Sequence, residues 1–283
     1  MANAAAHPQN GRPTATPVPM SALLLLTKLA LVPLLIALVT LAGRRWGASV
    51  AGWLSAFPVV SAPILLFVAL EQGPVFAAQA ATATVSAVLC ILAFGLPYAW
   101  VATRHSWPLA SLAGFACYFA SVALMTLWVP ALPVAAATAA CALLLVPRLY
   151  PQAPPVMPAA ARPASRADIP LRMIAAAVLV LLVTHFSARL GPQLSGLLAM
   201  FPVMAAVLAV FSHHHQGAGF TVLLLRGMVL GYWSFAAFCC ALALLLPHAA
   251  IPLAFAAALA TAVGVLGLTR VMALHVAPRL RRA

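Results

Sequence analysis

The sequence predicts an all-α protein, a polytopic transmembrane helix bundle of about nine spans, and three observations predict it. Charge is scarce: only 6% of the 283 residues are charged, 65% are hydrophobic, and the mean hydropathy is +1.10. A soluble domain carries about a quarter charged residues, so a water-facing surface could not be covered from this composition. Apolar stretches of roughly 20 residues, enough to cross a hydrocarbon core about 30 Å thick, follow one another along the chain. Finally, the chain repeats itself. Residues 38–73 align without a gap on 182–217, at an offset of 144, and fourteen of the 36 positions are identical.

Matching Leu and Val in apolar spans means little, so the rarer residue types carry the duplication. Gly47 pairs with Gly191, Gly52 with Gly196, Phe57-Pro58 with Phe201-Pro202, and Gln72-Gly73 with Gln216-Gly217. The same offset pairs Lys28 with Arg172, Arg45 with Arg189 and Pro108 with Pro252. Fixed-period self-similarity of this kind marks a repeat architecture.

In chain order, residues 1–19 are rich in Pro, Asn and Thr and lack the basic start and apolar middle of a secretory signal, so they read as a disordered tail. Candidate spans follow at about 21–43, 47–70, 75–100 and 108–128, the first repeat unit (20–128). A short Ala-rich stretch at 131–147, within 129–147, is a linking span. Residues 148–170, rich in Pro and Ala, read as a cytoplasmic linker. The second unit (171–270) holds spans at 172–190, 192–212, 218–246 and 250–269, and 271–283 is a basic cytoplasmic tail.

Four spans plus one turn the second unit upside down relative to the first, and charge tests that geometry. With the N-terminus outside and nine crossings, eleven arginines (44, 45, 104, 148, 162, 166, 172, 270, 279, 281 and 282) fall on the cytoplasmic side. Only Arg12, Lys28 and Arg189 fall outside, which is the bias that Lys and Arg show in short loops. Inverted-topology repeats follow, with the C-terminus cytoplasmic. The net charge of +13 is accounted for in the same way, and a nucleic-acid partner is excluded because no basic cluster sits on a soluble unit. Fourteen Arg to one Lys, with abundant Ala, points to a GC-rich bacterial genome.

Several features could carry chemistry. Pro58 and Pro202 fall inside the second span of each unit, where a proline removes a backbone hydrogen bond and breaks the helix. In lipid, the freed carbonyls need protein or a water-lined cavity, and paired breaks in corresponding spans mark a transporter's central site. Gly52, Phe57, Pro58, Gly196, Phe201 and Pro202 are therefore substrate-site candidates, although each break also reads as a plain kink. Arg226, eight residues into its span, either joins that site as an anion contact or snorkels to the headgroups. Glu71, counted as the only acidic residue outside the linker, and His185 are candidates for proton coupling.

His213, His214 and His215 form a run that could suggest a metal, but neighbouring helical positions point about 100° apart and cannot converge on one ion unaided. Cys90, Cys117, Cys141, Cys239 and Cys240 lie in apolar spans without metal-ligand spacing. No metalloprotease, hydrolase, phosphate-loop or dinucleotide motif occurs, and two acidic residues leave little for acid–base catalysis, so neither an enzyme nor a cofactor is expected.

The segments AGWLSAFPVVSAPILLFVALEQG and SGLLAMFPVMAAVLAVFSHHHQG resemble the small four-span bacterial inner-membrane proteins of the GlpM-like group. The resemblance implies that Gly52, Phe57, Pro58 and Gly73, and likewise Gly196, Phe201, Pro202 and Gly217, hold the family's marked positions. It implies an architecture and no particular activity. This chain departs from the family in being a fused pair with an added span. The expected function is a secondary transporter or exporter of a small solute, with its site where the units meet. A non-transporting envelope protein supporting exopolysaccharide or lipid metabolism is the alternative. The lipid bilayer, a small-molecule solute and a second copy in a homodimer are the expected partners.

Overall fold

The computed structural model describes residues 20–58, 60–128, 130–155, 167–187 and 201–280, and every regular element among them is a helix. In order these are α1 (Met20–Trp46), α2 (Ala48–Ser55), α3 (Ser61–Gln72), α4 (Pro74–Ala102), α5 (Trp107–Thr126), α6 (Leu132–Leu149), α7 (Asp168–Ser187), α8 (Val203–Leu245) and α9 (Ile251–Leu280). Six of the described helices (α1, α4, α5, α6, α8 and α9) are long and apolar enough to cross a bilayer, so the chain is a multi-pass helical membrane protein.

The helix boundaries follow from a few residues. Gly47, Gly73 and Gly217 adopt φ of 88°, 90° and 83°, a region that side chains avoid, and each stands where the chain leaves one helix for another. Gly217 divides α8 into two arms, 203–216 and 218–245. Prolines open α4, α5 and α6 in their first turns, where a missing N–H costs nothing. The expected span at 47–70 is two helices, α2 and α3, neither long enough to cross alone. The expected span at 192–212 is described only from residue 201.

The expected linker ends early. Asp168 was assigned to 148–170, yet it is the first residue of α7 and is buried. Its acidic charge suits a helix N-terminus, and it forms an i,i+4 pair with Arg172 that extends the helix outward beyond the apolar stretch.

α4 and the second arm of α8 pack side by side at the centre, burying Val85, Val88, Phe94 and Tyr98 against the layer of Val222, Leu225, Val229 and Phe238. α5 covers α4, α9 covers the second arm of α8, and α1 packs on α7. α2 lies on the second arm of α8 with backbone nearly touching backbone. A Cβ on Gly52 would collide with the Leu224 carbonyl, one on Gly227 with the Ser49 carbonyl, and one on Gly231 with the Trp53 carbonyl. Lipid offers helices no hydrophobic reason to associate, so such small-residue contacts carry the packing.

One end of the bundle is basic. Arg44 and His215 both reach Asp168, His213 meets Tyr98, His214 meets Trp107, and the Trp100 indole donates to the Leu149 carbonyl. These contacts gather Arg44, Arg104, Arg148 and Arg172 at that end, with Trp46, Trp100 and Trp107 exposed beside them like an interfacial aromatic belt. α4 starts about 43 Å away at 1.5 Å per residue, which puts Gly73 at the opposite end.

Candidate functional site

The two Phe-Pro segments each lead into a helix in related ways, the first from α2 into α3 and the second into α8. After α2, the Phe57 amide turns back to the Leu54 carbonyl (3.2 Å), the bond that Pro58 cannot donate, and the Ser55 hydroxyl donates to the Gly52 carbonyl (2.7 Å). The Pro58 carbonyl then accepts from Ala62 (2.9 Å) to start α3. Before α8, the Val203 amide donates to the Phe201 carbonyl (2.7 Å) around Pro202 at φ −77°, ψ 57°, an inverse γ-turn. The Pro202 carbonyl accepts from Ala206 (2.8 Å), matching Pro58 and Ala62 at the offset of 144. At the first break the Leu54 and Gly52 carbonyls are thus satisfied locally, as an environment without water requires.

Both breaks open on one cavity of about 220 Å³. Ser55 to Phe57, Val60 and Ser61 line it from the first break, and Phe201 to Ala205 from the second. Val32 of α1, Ile91 of α4, Val180 and Val183 of α7, and Met228, Tyr232 and Phe235 of α8 complete the wall. Val32 lies twelve residues along α1 from Arg44, Val180 twelve along α7 from Asp168, and Ser61 twelve along α3 from Gly73. At 1.5 Å per residue the cavity is about 18 Å from either end, near the middle of a hydrocarbon core about 30 Å thick.

Among the described residues no charged side chain lines this cavity. Its polar groups are the hydroxyls of Ser55, Ser61 and Tyr232 and the first turns of two helices, α3 at Ser61 and α8 at Val203. Helix N-termini present the positive end of the helix dipole, the Ala62, Val203 and Ala206 amides here being bonded already to the Pro58, Phe201 and Pro202 carbonyls. The arrangement can hold an apolar body and donate hydrogen bonds to an acceptor on it. It can also change shape, because a broken span has no continuous ladder to keep its two pieces rigid.

The candidates from sequence divide accordingly. Phe57, Phe201 and Pro202 reach the cavity, and Pro58 is buried behind Phe57. Gly52 does not line it but seats α2 on α8, while Gly196 lies outside the described residues. Arg226 is exposed and sits near the buried Tyr150 phenol, away from the cavity wall, in keeping with a snorkelling side chain. Glu71 and His185 are exposed, and neither lines the cavity. The three histidines diverge toward Tyr98, Trp107 and Asp168, and among the described residues no His, Cys, Asp and Glu gather in a group that could hold a metal. The five cysteines are free.

Sequence reasoning missed a polar node at the basic end. Asp168 accepts from Arg44 Nη2 (2.8 Å) and Arg172 Nε (3.0 Å), and His215 Nε2 lies 3.5 Å from the same carboxylate. Arg172, only 1% exposed, also reaches Ser212 Oγ (3.4 Å) and lies over the Phe211 ring (5.4 Å). Burial alone would raise the Asp168 carboxyl, but the Arg172 and Arg44 guanidiniums outweigh it and hold it below the usual carboxylate range. The i,i+4 spacing of Asp168 and Arg172 was the available signal, hidden by the Pro/Ala-rich run before it.

No family model matches this chain, and neither a curated protein nor a solved structure does.

Proposed function

We propose that the chain is a secondary transporter or exporter of the bacterial inner membrane, built as a fused, inverted pair of four-span units of the GlpM-like kind. The observation that carries this reading is the meeting of both Phe-Pro breaks on one midplane cavity. Paired broken spans around a midplane site are the pattern by which transporters with internal repeats hold a solute and rock about it. A non-transporting scaffold has no use for such a cavity.

The inverted arrangement draws support from the matched glycines: Gly73 lies at one end of the bundle and Gly217, beside the histidine run, at the basic end. It draws further support from packing that pairs α4 with α5 as it pairs the second arm of α8 with α9, and sets α1 against α7. In this reading all nine spans cross, the basic end is cytoplasmic and the N-terminus lies outside. The solute has an apolar body and one hydrogen-bond-accepting group. An ionised one meets only helix dipoles there, since among the described residues no cationic side chain lines the cavity to offset its desolvation.

Flux into proteoliposomes tests the reading, with a panel of small solutes of this class. Pro58→Ala and Pro202→Ala are each expected to abolish most of the flux while leaving a monodisperse, helical protein. Normal flux in a folded double variant would remove the main support.

A further inference from the structure

The polar node occupies a position that no part of the cavity argument uses. Each of the three elements that supply it also walls the cavity. α1 contributes Val32 to the wall and Arg44 to the node. α7 contributes Val180 and Val183 to the wall, Asp168 and Arg172 to the node. The first arm of α8 contributes Met204 and Ala205 to the wall, Ser212 and His215 to the node. A single carboxylate therefore ties together, at the basic end, the three helices that would have to part for the cavity to open there.

Between node and cavity lie Ile36 and Val39 of α1, Ala176 of α7 and Leu208 of α8, all apolar and buried. The node is also incompletely satisfied: Arg172 Nη2 is buried with no hydrogen-bond partner among the described residues. A buried guanidinium nitrogen left unpaired costs free energy, which narrows the gap to any arrangement in which it finds a partner. An ion cluster that is tight yet not fully paired suits an element that must both hold and release.

We infer that Asp168, with Arg44 and Arg172, is the gate of the basic end: intact, it holds the cavity shut on that side, and its rupture opens the cavity there. The inference rests on the proposed alternating access of the cavity, but it concerns access and not cargo. His215, the remaining titratable group at Asp168, adds a third tie from α8.

Sided cysteine labelling tests it in the full chain, with the five native cysteines replaced and one introduced in the cavity wall by Ile64→Cys. α3 carries no part of the node, so the reporter is not displaced by changes there. A membrane-impermeant maleimide applied from the basic end should label this background slowly. Asp168→Asn should raise the rate on the order of tenfold or more, since removing one partner of a buried ion cluster leaves the other charges uncompensated. Asp168→Glu, which keeps the carboxylate, should stay near the background rate, and Glu71→Gln, at the opposite end, should match it. If Asp168→Asn does not fold, Arg44→Gln carries the test, because that side chain is one-third exposed (33%) and its loss is milder. Fast labelling of the background, or no acceleration in any folded node variant, overturns the gate. A gate that labels as expected while no solute moves would leave this inference standing and count against the transport reading alone.

Discussion

The two Phe-Pro breaks share a motif and a cavity, yet their phenylalanines are held in opposite ways. Phe201 is stacked on Phe115 (ring centroids 5.5 Å apart, 16° between planes) and lies edge-on to Tyr118 (5.4 Å), with Phe119 close by. Phe57, half-buried, makes no ring contact among the described residues. The first break is held one turn earlier instead, where Gly52 is clamped onto the α8 backbone. One wall of the cavity is therefore fixed through an aromatic cluster with α5, the other through a glycine seat that leaves its phenylalanine unpinned. The same motif is thus held in two mechanically different ways, and Phe57 is the less constrained of its two phenylalanines, both of which line the cavity.

The carboxylates show a second contrast between the halves. Asp168 is buried among cations and helix ends, while Glu71, which follows the first break, is exposed at the other end. Only the first can act as a tie, because ion pairs screened by water contribute little.

These contrasts can be broken or sharpened by substitution, with unfolding followed by thermal or denaturant melts in detergent. The largest effect is expected at the glycine seat. Gly52→Val should prevent folding or cost more than about 3 kcal/mol, because the added atoms meet backbone that cannot swing aside. Gly264→Ala, where nothing lies within 4 Å, should be close to neutral. Equal outcomes would mean that α2 does not need its backbone contact.

The node comes next. Asp168→Asn should cost about 3 kcal/mol, as loss of one partner of a buried pair does, whereas Glu71→Gln should stay within about 0.5 kcal/mol, as exposed substitutions do. The pH dependence has a definite sign. The folded Asp168 carboxyl lies below its unfolded value, so its stabilisation is fully present above about pH 4 and fades as pH falls through the lower folded value. A melt that loses stability on the acid side equally in the native chain and in Asp168→Asn would contradict that assignment.

For the phenylalanines, Phe201→Ala should destabilise by about 2–3 kcal/mol and Phe57→Ala by about 1 kcal/mol or less, since only the first loses a packed aromatic cluster. Flux should rank the other way, with Phe57→Ala the more damaging to solute retention. Matched melts would erase the contrast. The most symmetrical effects are expected at Gly73 and Gly217. Each has positive φ and open space around it, so alanine at either should cost about 1–3 kcal/mol through backbone strain alone, and by similar amounts.

Much of this molecule was legible before any coordinates. Charge scarcity and span length establish a membrane bundle, since a bilayer admits only backbones that satisfy themselves. Pro58 and Pro202 marked where a helix breaks, because the lost N–H and the fixed φ of proline are local properties. The diverging histidines followed from helical geometry alone.

Tertiary structure decided the rest, and the reason is that lipid-facing and protein-facing side chains are equally apolar here. Hydrophobic pattern, which tells inside from outside in water, is silent on which face of a helix meets which neighbour. That α2 sits on the second arm of α8, that breaks 144 residues apart open on one cavity, and that Phe201 but not Phe57 is pinned are all outcomes of long-range packing. Asp168 was misplaced for a related reason: two of its three partners, Arg44 and His215, are 124 and 47 residues away in the chain. The sequence by itself determined that this chain lives in a membrane and where its helices break. Only the fold determined what those breaks enclose and which charges hold them shut.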